Sequence, residues 1–282
     1  MSGAYGRGEP PPPPEPLATP TVDAHTHLDA TGAVDADGVR AAMDRAAAVG
    51  IVGAVTVADD LASARWVVQA AHWDERVVAA VALHPTRTAG IGEAEHAEIE
   101  ALARDPRVVA VGETGLDYYW DYSPPADQQA SFRRHIDLAK RISKPLMIHD
   151  RDAHDDVLRI LDEEGAPAKV VFHCFSGDAA MARTCVDAGY VLSFAGPVTF
   201  KNSRALQEAA VLVPDDQLLV ETDAPFLTPH PHRGKANEPY CLPWTVRALA
   251  ALRGTTADDV AGATRRTAQR IFSFDPLSVT TG

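Results

Sequence analysis

The sequence predicts an α/β fold built as a single (β/α)8 barrel. Eight short apolar runs alternate with longer segments of helical period from Thr21 onward. The runs are apolar throughout rather than at every second position, which is typical of parallel strands buried on both faces. No break in composition divides the series in two. The pattern therefore favours one closed barrel of the TIM type, with a doubly wound open sheet as the alternative because periodicity alone does not prove closure.

The predicted elements follow one another without long gaps. In chain order the strands are Val22–His27, Ile51–Val57, Val77–Leu83, Val108–Glu113, Pro145–His149, Lys169–His173, Tyr190–Phe194 and Gln217–Thr222. Helical periods cover Asp37–Val49, Leu61–Trp73, Glu93–Arg104, Asp127–Ile142, Ala153–Glu164, Ala179–Ala188, Asn202–Leu212, Pro243–Arg253 and Ala257–Phe272. Gly50, Gly165 and Gly189 directly follow predicted helices, where glycine most easily adopts a left-handed cap.

The first 20 residues differ in composition from the rest of the chain. The run from Pro10 to Pro14 favours an extended polyproline II conformation and is not expected to join a packed core. We therefore expect residues 1–20 to form a disordered proline-rich lead. The barrel domain is expected over residues 21–274, followed by a short tail over residues 275–282.

Composition limits the classes of function. Of the 282 residues 46% are apolar, and the formal net charge is −13. An acidic chain is not expected to coat nucleic acid, but it can act on phosphate esters, because bound cations reverse the charge locally. Three cysteines without CxxC spacing indicate a reduced, cytoplasmic setting. No stretch is long and apolar enough to cross a membrane, and nothing implies an obligate protein partner.

Potential metal ligands stand at the ends of five predicted strands. His25 and His27 are alternate residues, so in a strand they point to the same face. Alone, this pair could equally be two histidines without a ligand role. In a (β/α)8 barrel, however, the carboxyl ends of all strands meet at one mouth, where active sites lie. The complete candidate set is His25, His27, Glu113, His149, His173 and Asp223.

Six ligands exceed what one catalytic ion with an open position uses, and they suit two divalent ions that share a carboxylate. We assign Glu113 as the bridge, with three of the other ligands (His25, His27, Asp223) on one ion and two (His149, His173) on the second. Histidine and carboxylate donors are compatible with zinc, manganese or magnesium.

Two such ions lower the pKa of bound water from about 15.7 towards about 7 and clamp the oxygens of a displacement at phosphorus. We therefore expect a metal-bound hydroxide to attack, with Glu113 and Asp223 as catalytic residues. Asp223 is also a candidate proton acceptor. Glu221 could orient a ligand histidine, or it could be a solvated residue at the strand end.

The same segments resemble TatD-type metal-dependent deoxyribonucleases from about Thr21 to Phe272. The resemblance rests on eight motifs in the expected order: DAHTHLD (23–29), LHP (83–85), VGETGLDYY (111–119), IHDRDA (148–153), HCFSG (173–177), FKN (200–202), ETDAPFL (221–227) and RGKANEP (233–239). It implies a TIM-barrel hydrolase that cleaves phosphodiester bonds of DNA, often as an exonuclease. It also implies the same six ligand positions.

Candidate substrate contacts surround this predicted mouth. Arg151, Lys201 and Arg233 follow later strands and could bind a phosphate backbone. Ser176 precedes a helix whose first N–H groups could receive a phosphate oxygen, although an ordinary helix cap is equally compatible. His84, at the end of the third strand, could contact a phosphate or orient a ligand.

Two enzymatic functions compete. We expect a divalent-metal-dependent hydrolase that acts on DNA ends, most simply an exonuclease. The alternative is a small-molecule amidohydrolase or esterase, opening a cyclic amide, lactone or aminoacyl ester on the same barrel. Glu113 stands where many such enzymes have a carboxylated lysine, which favours the nuclease. The aromatic residues Tyr118, Tyr119 and Trp120 could stack an unpaired base or only pack their loop.

Overall fold

The computed structural model describes residues 9–274 together with residues 276 and 277. All eight predicted strands are present in one sheet, and only their ends differ from the prediction. They are β1 Thr21–Thr26, β2 Ile51–Val57, β3 Val77–Val81, β4 Val108–Asp117, β5 Leu146–Arg151, β6 Val170–Phe172, β7 Val191–Phe194 and β8 Leu218–Val220. Residues 1–8 of the expected lead and most of the expected 275–282 tail lie outside the described residues.

The sheet closes into a barrel between its first and last strands. Each strand pairs in parallel with the next one in sequence. Thr26 forms a parallel bridge with Ala224, just beyond β8. The backbone N–H of Asp223 donates to His25 O at 2.9 Å, and that of His27 donates to Ala224 O at 2.7 Å. Since a doubly wound sheet reverses its strand order, the sequential order excludes that alternative and confirms the barrel.

The side chain of Asp23 reinforces this closure between β1 and the end of β8, which we call the seam. Asp23 is fully buried, and its Oδ1 accepts a hydrogen bond from the Thr222 backbone N–H at 2.9 Å. Its Oδ2 accepts one from Thr222 Oγ1 at 2.5 Å. Burial raises the pKa of Asp23 to about 8, although the hydrogen bonds from Thr222 and His25 act in the opposite direction. The strand ends that carry His25 and Asp223 are thereby held side by side.

Helices cover the outside of the barrel, each close to its predicted position. They are α1 Ala36–Ala47, α2 Leu61–Trp73, α3 Glu93–Ala103, α4 Pro125–Ile142, α5 His154–Glu164, α6 Ala179–Asp187, α7 Arg204–Leu212, α8 Leu242–Arg253 and α9 Ala257–Phe272. Short 3-10 turns lie at Pro85–Arg87, Gly196–Thr199, Asp215–Gln217 and Pro239–Cys241. The three predicted cap glycines all have positive φ. Within the described residues, no helix has the length and apolar character needed to span a bilayer.

Strand parity divides the buried apolar residues into two clusters. Val55 and Val57 of β2 join Val78 and Ala80 of β3 in the smaller cluster, which by parity fills the barrel interior. The larger cluster contains the intervening strand residues and the inward faces of the helices. The strands are therefore apolar on both faces, as the sequence pattern predicted.

The expectation that residues 1–20 form a disordered lead is wrong for residues 11–19, which we call the proline strap. Pro11, Pro14 and Leu17 are buried while the positions between them are exposed. This three-residue repeat is that of a polyproline II helix, which places every third residue on one edge. The edge formed by these residues lies against the barrel, and Leu17 belongs to the larger core cluster.

Hydrogen bonds attach the proline strap to the barrel. A polyproline II segment has no internal hydrogen bonds, so its carbonyl groups are free to accept from neighbouring side chains. Tyr240 Oη donates to Pro11 O at 2.7 Å, and Arg247 donates to Glu15 O at 2.5 Å. At the strap's other end, Leu17 N–H donates to Val49 O at 3.0 Å. Gly50 has φ 89°, and a Cβ there would lie 2.9 Å from Leu17 O, so this close approach requires glycine.

Candidate metal centre

The structure brings all six predicted ligands together at the carboxyl ends of the strands. Nε2 of His25 and Nε2 of His27 lie 3.2 Å apart. Asp223 Oδ1 is 3.6 Å from the first of these nitrogens and 3.5 Å from the second. On the other side of the cluster, His149 Nδ1 lies 3.2 Å from His173 Nε2. Two groups of donor atoms are thus formed, one from β1 with the end of β8 and one from β5 with the end of β6.

Glu113 lies between the two groups and turns a different oxygen towards each. Its Oε1 is 3.7 Å from His25 Nε2 and 3.4 Å from His27 Nε2. Its Oε2 is 3.2 Å from His149 Nδ1 and 2.6 Å from His173 Nε2. The side chain of Glu113 is only 3% exposed, so bulk water does not compete for these oxygens.

Each histidine in the cluster also has a partner on its other ring nitrogen. His27 Nδ1 lies 3.0 Å from the Val57 carbonyl oxygen. His173 Nδ1 lies 3.3 Å from Glu221 Oε1, and His25 Nδ1 lies 3.2 Å from the sulfur of Met147. Oxygen acceptors on the far nitrogen are typical of histidines that bind metal, because they fix the tautomer and the ring orientation.

The structure decides between the two hypotheses for Glu221 and excludes a solvated residue at the strand end. Glu221 is fully buried, and its Oε1 also accepts a hydrogen bond from the Cys174 backbone N–H at 2.7 Å. The carboxylate orients His173 and fixes the start of the loop that follows β6.

Sequence reasoning missed Asp117 as a site residue. Asp117 is buried at the end of β4, and its Oδ2 lies 2.9 Å from His149 Nε2. The signal that could have found it is strand parity, since Asp117 is four residues after Glu113 and β4 extends through both. The apolar run predicted a strand that ended at Glu113, so Asp117 lay beyond the predicted strand.

The charges of the cluster favour bound cations. Burial alone would raise the pKa of Glu113, but the nearby charges of His173 and His25 outweigh burial, and the pKa lies well below its ordinary value. The pKa of His173 is raised well above its ordinary value, because Glu113 and Glu221 outweigh the effect of burial. The two carboxylates therefore create a negative field in which positive charge, on an imidazole or on a divalent cation, is stabilised.

Asp223 is a second acidic group of this kind. Burial would raise its pKa, but the hydrogen bond from His27 and the charge of His25 prevail, so the pKa is lowered. Its backbone has φ 52°, a left-handed conformation that aspartate tolerates better than most residues. Nitrogen and oxygen donors, buried together and oriented by further acceptors, fit divalent metal ions.

The predicted substrate contacts occupy the rim but differ in their surroundings. His84 is mostly buried, with Nε2 4.0 Å from Glu113 Oε2. Ser176 Oγ is exposed and donates to Asp150 O at 3.0 Å. Lys201 is exposed beyond Gly196–Thr199, and Arg233 lies with its guanidinium carbon 4.9 Å from the Phe200 ring centroid. Arg151 stacks on Tyr119, 3.9 Å above the ring centroid.

Comparison with known proteins assigns the chain to a family. The model of TatD related DNases matches residues 22–273, nearly the whole described chain. The chain belongs to the TatD family of metal-dependent hydrolases. The resemblance inferred from the sequence motifs is confirmed, and with it the metal dependence and the hydrolase class.

Individual relatives agree with this assignment. The chain is 61% identical over 258 residues to the uncharacterized metal-dependent hydrolase TatD of Mycobacterium tuberculosis, covering 90% of this chain and 98% of the relative. It is 34% identical over 198 residues to the 3'-5' ssDNA/RNA exonuclease TatD of Erwinia tasmaniensis, covering 68% of this chain and 76% of the relative. The crystal structure of YjjV, a TatD homologue from Escherichia coli, superposes with a TM-score of 0.84 at 28% identity, covering 90% of this chain and 98% of the other.

Proposed function

We propose that this TatD-family hydrolase cleaves phosphodiester bonds at DNA ends, using two divalent ions. The observation that carries the proposal is the division of the Glu113 oxygens between two groups of donors. A carboxylate shared in this way suits two ions, and paired ions are a recurrent device for displacement at phosphorus.

The residues that would hold the ions follow from the same geometry. His25, His27 and Asp223 surround Glu113 Oε1, whereas His149 and His173 surround Oε2. Zinc or manganese suits this histidine-rich set, and magnesium is also compatible. Bound there, divalent ions supply Lewis acidity and lower the pKa of coordinated water.

Asp223 has the geometry of a proton acceptor as well as of a ligand. Its Oδ1 faces His25 and His27. Its side chain is 12% exposed, more than that of Glu113, the other carboxylate among the six candidate ligands. The lowered pKa keeps this carboxylate ionised at neutral pH, so its oxygens are available to a cation or to a proton from the attacking water. Glu113 at 3% is enclosed and acts by holding charge between the donor groups.

Exposed cations at the mouth support a phosphate-containing substrate. Arg151 is the last residue of β5, and Lys201 and Arg233 lie in the loops after β7 and β8, on an otherwise acidic chain. Guanidinium and ammonium groups position a nucleic acid by its phosphates. The relative from Erwinia tasmaniensis named as a 3'-5' ssDNA/RNA exonuclease supports a nucleic-acid end as the substrate.

The test is hydrolysis by purified protein that is first freed of metal and then reloaded with zinc, manganese or magnesium. End-labelled single- and double-stranded oligodeoxynucleotides are offered beside a panel of lactones, cyclic amides and aminoacyl esters. We expect metal-dependent shortening of the oligonucleotides from one end. Turnover of a lactone or amide with intact DNA, at the same metal loading, would replace this proposal by the amidohydrolase alternative.

A matched pair of variants separates the enzyme from a contaminating nuclease. Glu113→Gln changes one buried atom of the cluster and is expected to remove the activity. Glu98→Gln makes the same change on the outer surface of α3, where Glu98 pairs with Arg65 at 2.5 Å. An activity that survives in both preparations does not belong to this site.

A further inference from the structure

Aromatic side chains are exposed beside the metal centre, in the loop that follows β4. Tyr119 and Tyr122 are 54% and 47% exposed, and they are two of the six large apolar side chains that are exposed within the described residues. Between them Trp120 is half-buried. We call residues 119–122 the aromatic turn. Exposed aromatic rings grouped next to a catalytic cleft indicate a binding surface rather than core packing.

The rings of the aromatic turn are arranged against one another. Trp120 and Tyr122 stack with centroids 5.3 Å apart and planes 11° apart. Tyr119 meets Trp120 edge to face, with centroids 4.8 Å apart. By contrast, Tyr118 turns away and donates its hydroxyl to Asp156 Oδ2 at 2.7 Å, so it packs the loop against α5. Of the two roles left open for these aromatics, loop packing therefore belongs to Tyr118.

Asp117 connects the aromatic turn to the metal centre. Its Oδ1 accepts hydrogen bonds from the backbone N–H groups of Tyr119 and Trp120, both at 3.0 Å. Its Oδ2 contacts His149. One carboxylate therefore fixes the turn and a ligand histidine together, so that a ring and the reacting phosphate would be held at a constant separation.

Arg151 lies over the face of the turn. Its guanidinium carbon is 3.9 Å from the Tyr119 centroid and 5.8 Å from the Trp120 ring. Within the described chain Arg151 forms no ion pair with a carboxylate. A guanidinium that stacks on a ring uses its flat face for that contact, while its N–H groups point outwards in its own plane. It can therefore stack on Tyr119 and donate to a phosphate oxygen at the same time.

We propose that the aromatic turn is a base-stacking subsite. It binds one unpaired nucleobase of the DNA strand whose scissile phosphodiester lies at the metal centre. Arg151 binds the adjoining phosphate. The proposal rests on the proposed nuclease function and deepens it. Because every base has a π face, stacking of this kind selects for an unpaired base without selecting its identity. A paired end would be cut only after its terminal bases separate.

The test compares two single-stranded oligomers of equal length and charge. One is an oligothymidylate, and the other has tetrahydrofuran abasic residues throughout. Binding is measured by fluorescence anisotropy in chelator, and kcat/KM is measured after metal reloading. We expect wild-type protein to prefer the thymidylate in both assays, and Tyr119→Leu with Trp120→Leu to reduce that preference by about 10- to 100-fold.

Ring-retaining variants are the matched control. Tyr119→Phe and Trp120→Phe keep a π face and are expected to preserve the ratio between the two oligomers. Equal binding of both oligomers by wild-type protein, or an unchanged ratio in the leucine variants, would overturn the subsite. If both oligomers are cut equally, the nuclease proposal stands without the subsite. If thymidylate binds preferentially but neither oligomer is cut under any metal, the subsite stands and the nuclease proposal fails.

Discussion

Asp117 Oδ2 lies 2.9 Å from Nε2 of His149, on the opposite side of the imidazole from Glu113. The contact fixes which nitrogen of His149 faces the cluster. Asp117→Asn is nearly isosteric, and its amide oxygen can still accept the backbone hydrogen bonds of the aromatic turn. Its amide nitrogen, however, cannot accept from the imidazole.

We expect Asp117→Asn to weaken metal binding or turnover by roughly 10- to 100-fold, the usual effect of losing such an orienting partner. Metal affinity by competition with a chelator and kcat by DNA hydrolysis measure the two effects separately. Asp121→Asn, an exposed position in the same loop, is the reference. Wild-type affinity and kcat in Asp117→Asn would show that His149 needs no orienting carboxylate.

Glu113→Gln and Asp223→Asn distinguish a bridge from a proton acceptor. If Glu113 bridges, its amide loses the charge that allows two cations to approach, and at least one ion should be lost. If Asp223 mainly accepts the proton, Asp223→Asn should keep much of the metal yet lose most turnover. Elemental analysis and hydrolysis of labelled DNA are measured on the same preparations.

Two results would contradict these assignments. Two retained ions with near-wild-type turnover in Glu113→Gln would remove the bridging role. Complete loss of metal from Asp223→Asn would make Asp223 primarily a ligand, and Glu221 would become the next candidate for the base.

Removing the proline strap should destabilise the barrel. Deleting residues 1–17 exposes the surface under Pro11, Pro14 and Leu17 and breaks the Tyr240 and Val49 hydrogen bonds. Burial of one leucine alone contributes about 1.5–3 kcal/mol. In a chain of this size we expect the melting temperature to fall by roughly 5–10 °C.

Calorimetry of this variant beside a deletion of residues 1–8 gives the measurement, because the shorter deletion leaves every described strap contact in place. Equal melting temperatures for the two deletions would show that the docked segment contributes nothing to stability.

His135 should make the protein sensitive to acid. It is buried between α4 and the barrel, where its Nδ1 lies 2.8 Å from Thr114 Oγ1. Burial, aided by the charges of His96 and Arg134, lowers its pKa from 6.5 to about 3. Between these values the unfolded chain binds a proton that the folded chain does not, so stability is lost as the pH falls below 6.5.

One such proton reduces the free energy of unfolding by about 1.4 kcal/mol per pH unit. Urea unfolding from pH 7 to pH 5, in chelator, should therefore have a shallower pH slope in His135→Asn than in the wild type. Asparagine can keep the Thr114 hydrogen bond, and the slope is unaffected by a constant loss of stability. Identical slopes would show that His135 titrates alike in both states.

The sequence could predict that the six candidate ligands lie close together because they stand at strand ends, where barrel topology brings them to one mouth. The sequence could not predict the role of residues that depend on a partner distant in the chain. Nothing near Asp23 indicates its contact with Thr222, and Glu221 could not be assigned until His173 was beside it. The proline strap was missed for a different reason. Its apolar positions repeat every third residue, a period that neither helix nor strand templates detect.

The seam between β1 and β8 has a consequence for how the protein is made. Asp23 and Thr222 are 199 positions apart, so the two sides of the seam leave the ribosome far apart in time. His25 and His27 are synthesised with and directly after β1, but Asp223 is synthesised only after β8. The proposed ion site of these three residues can be completed only after Asp223 has been synthesised. A chain interrupted before Asp223 should therefore carry no hydrolytic activity, because one side of the barrel closure is missing.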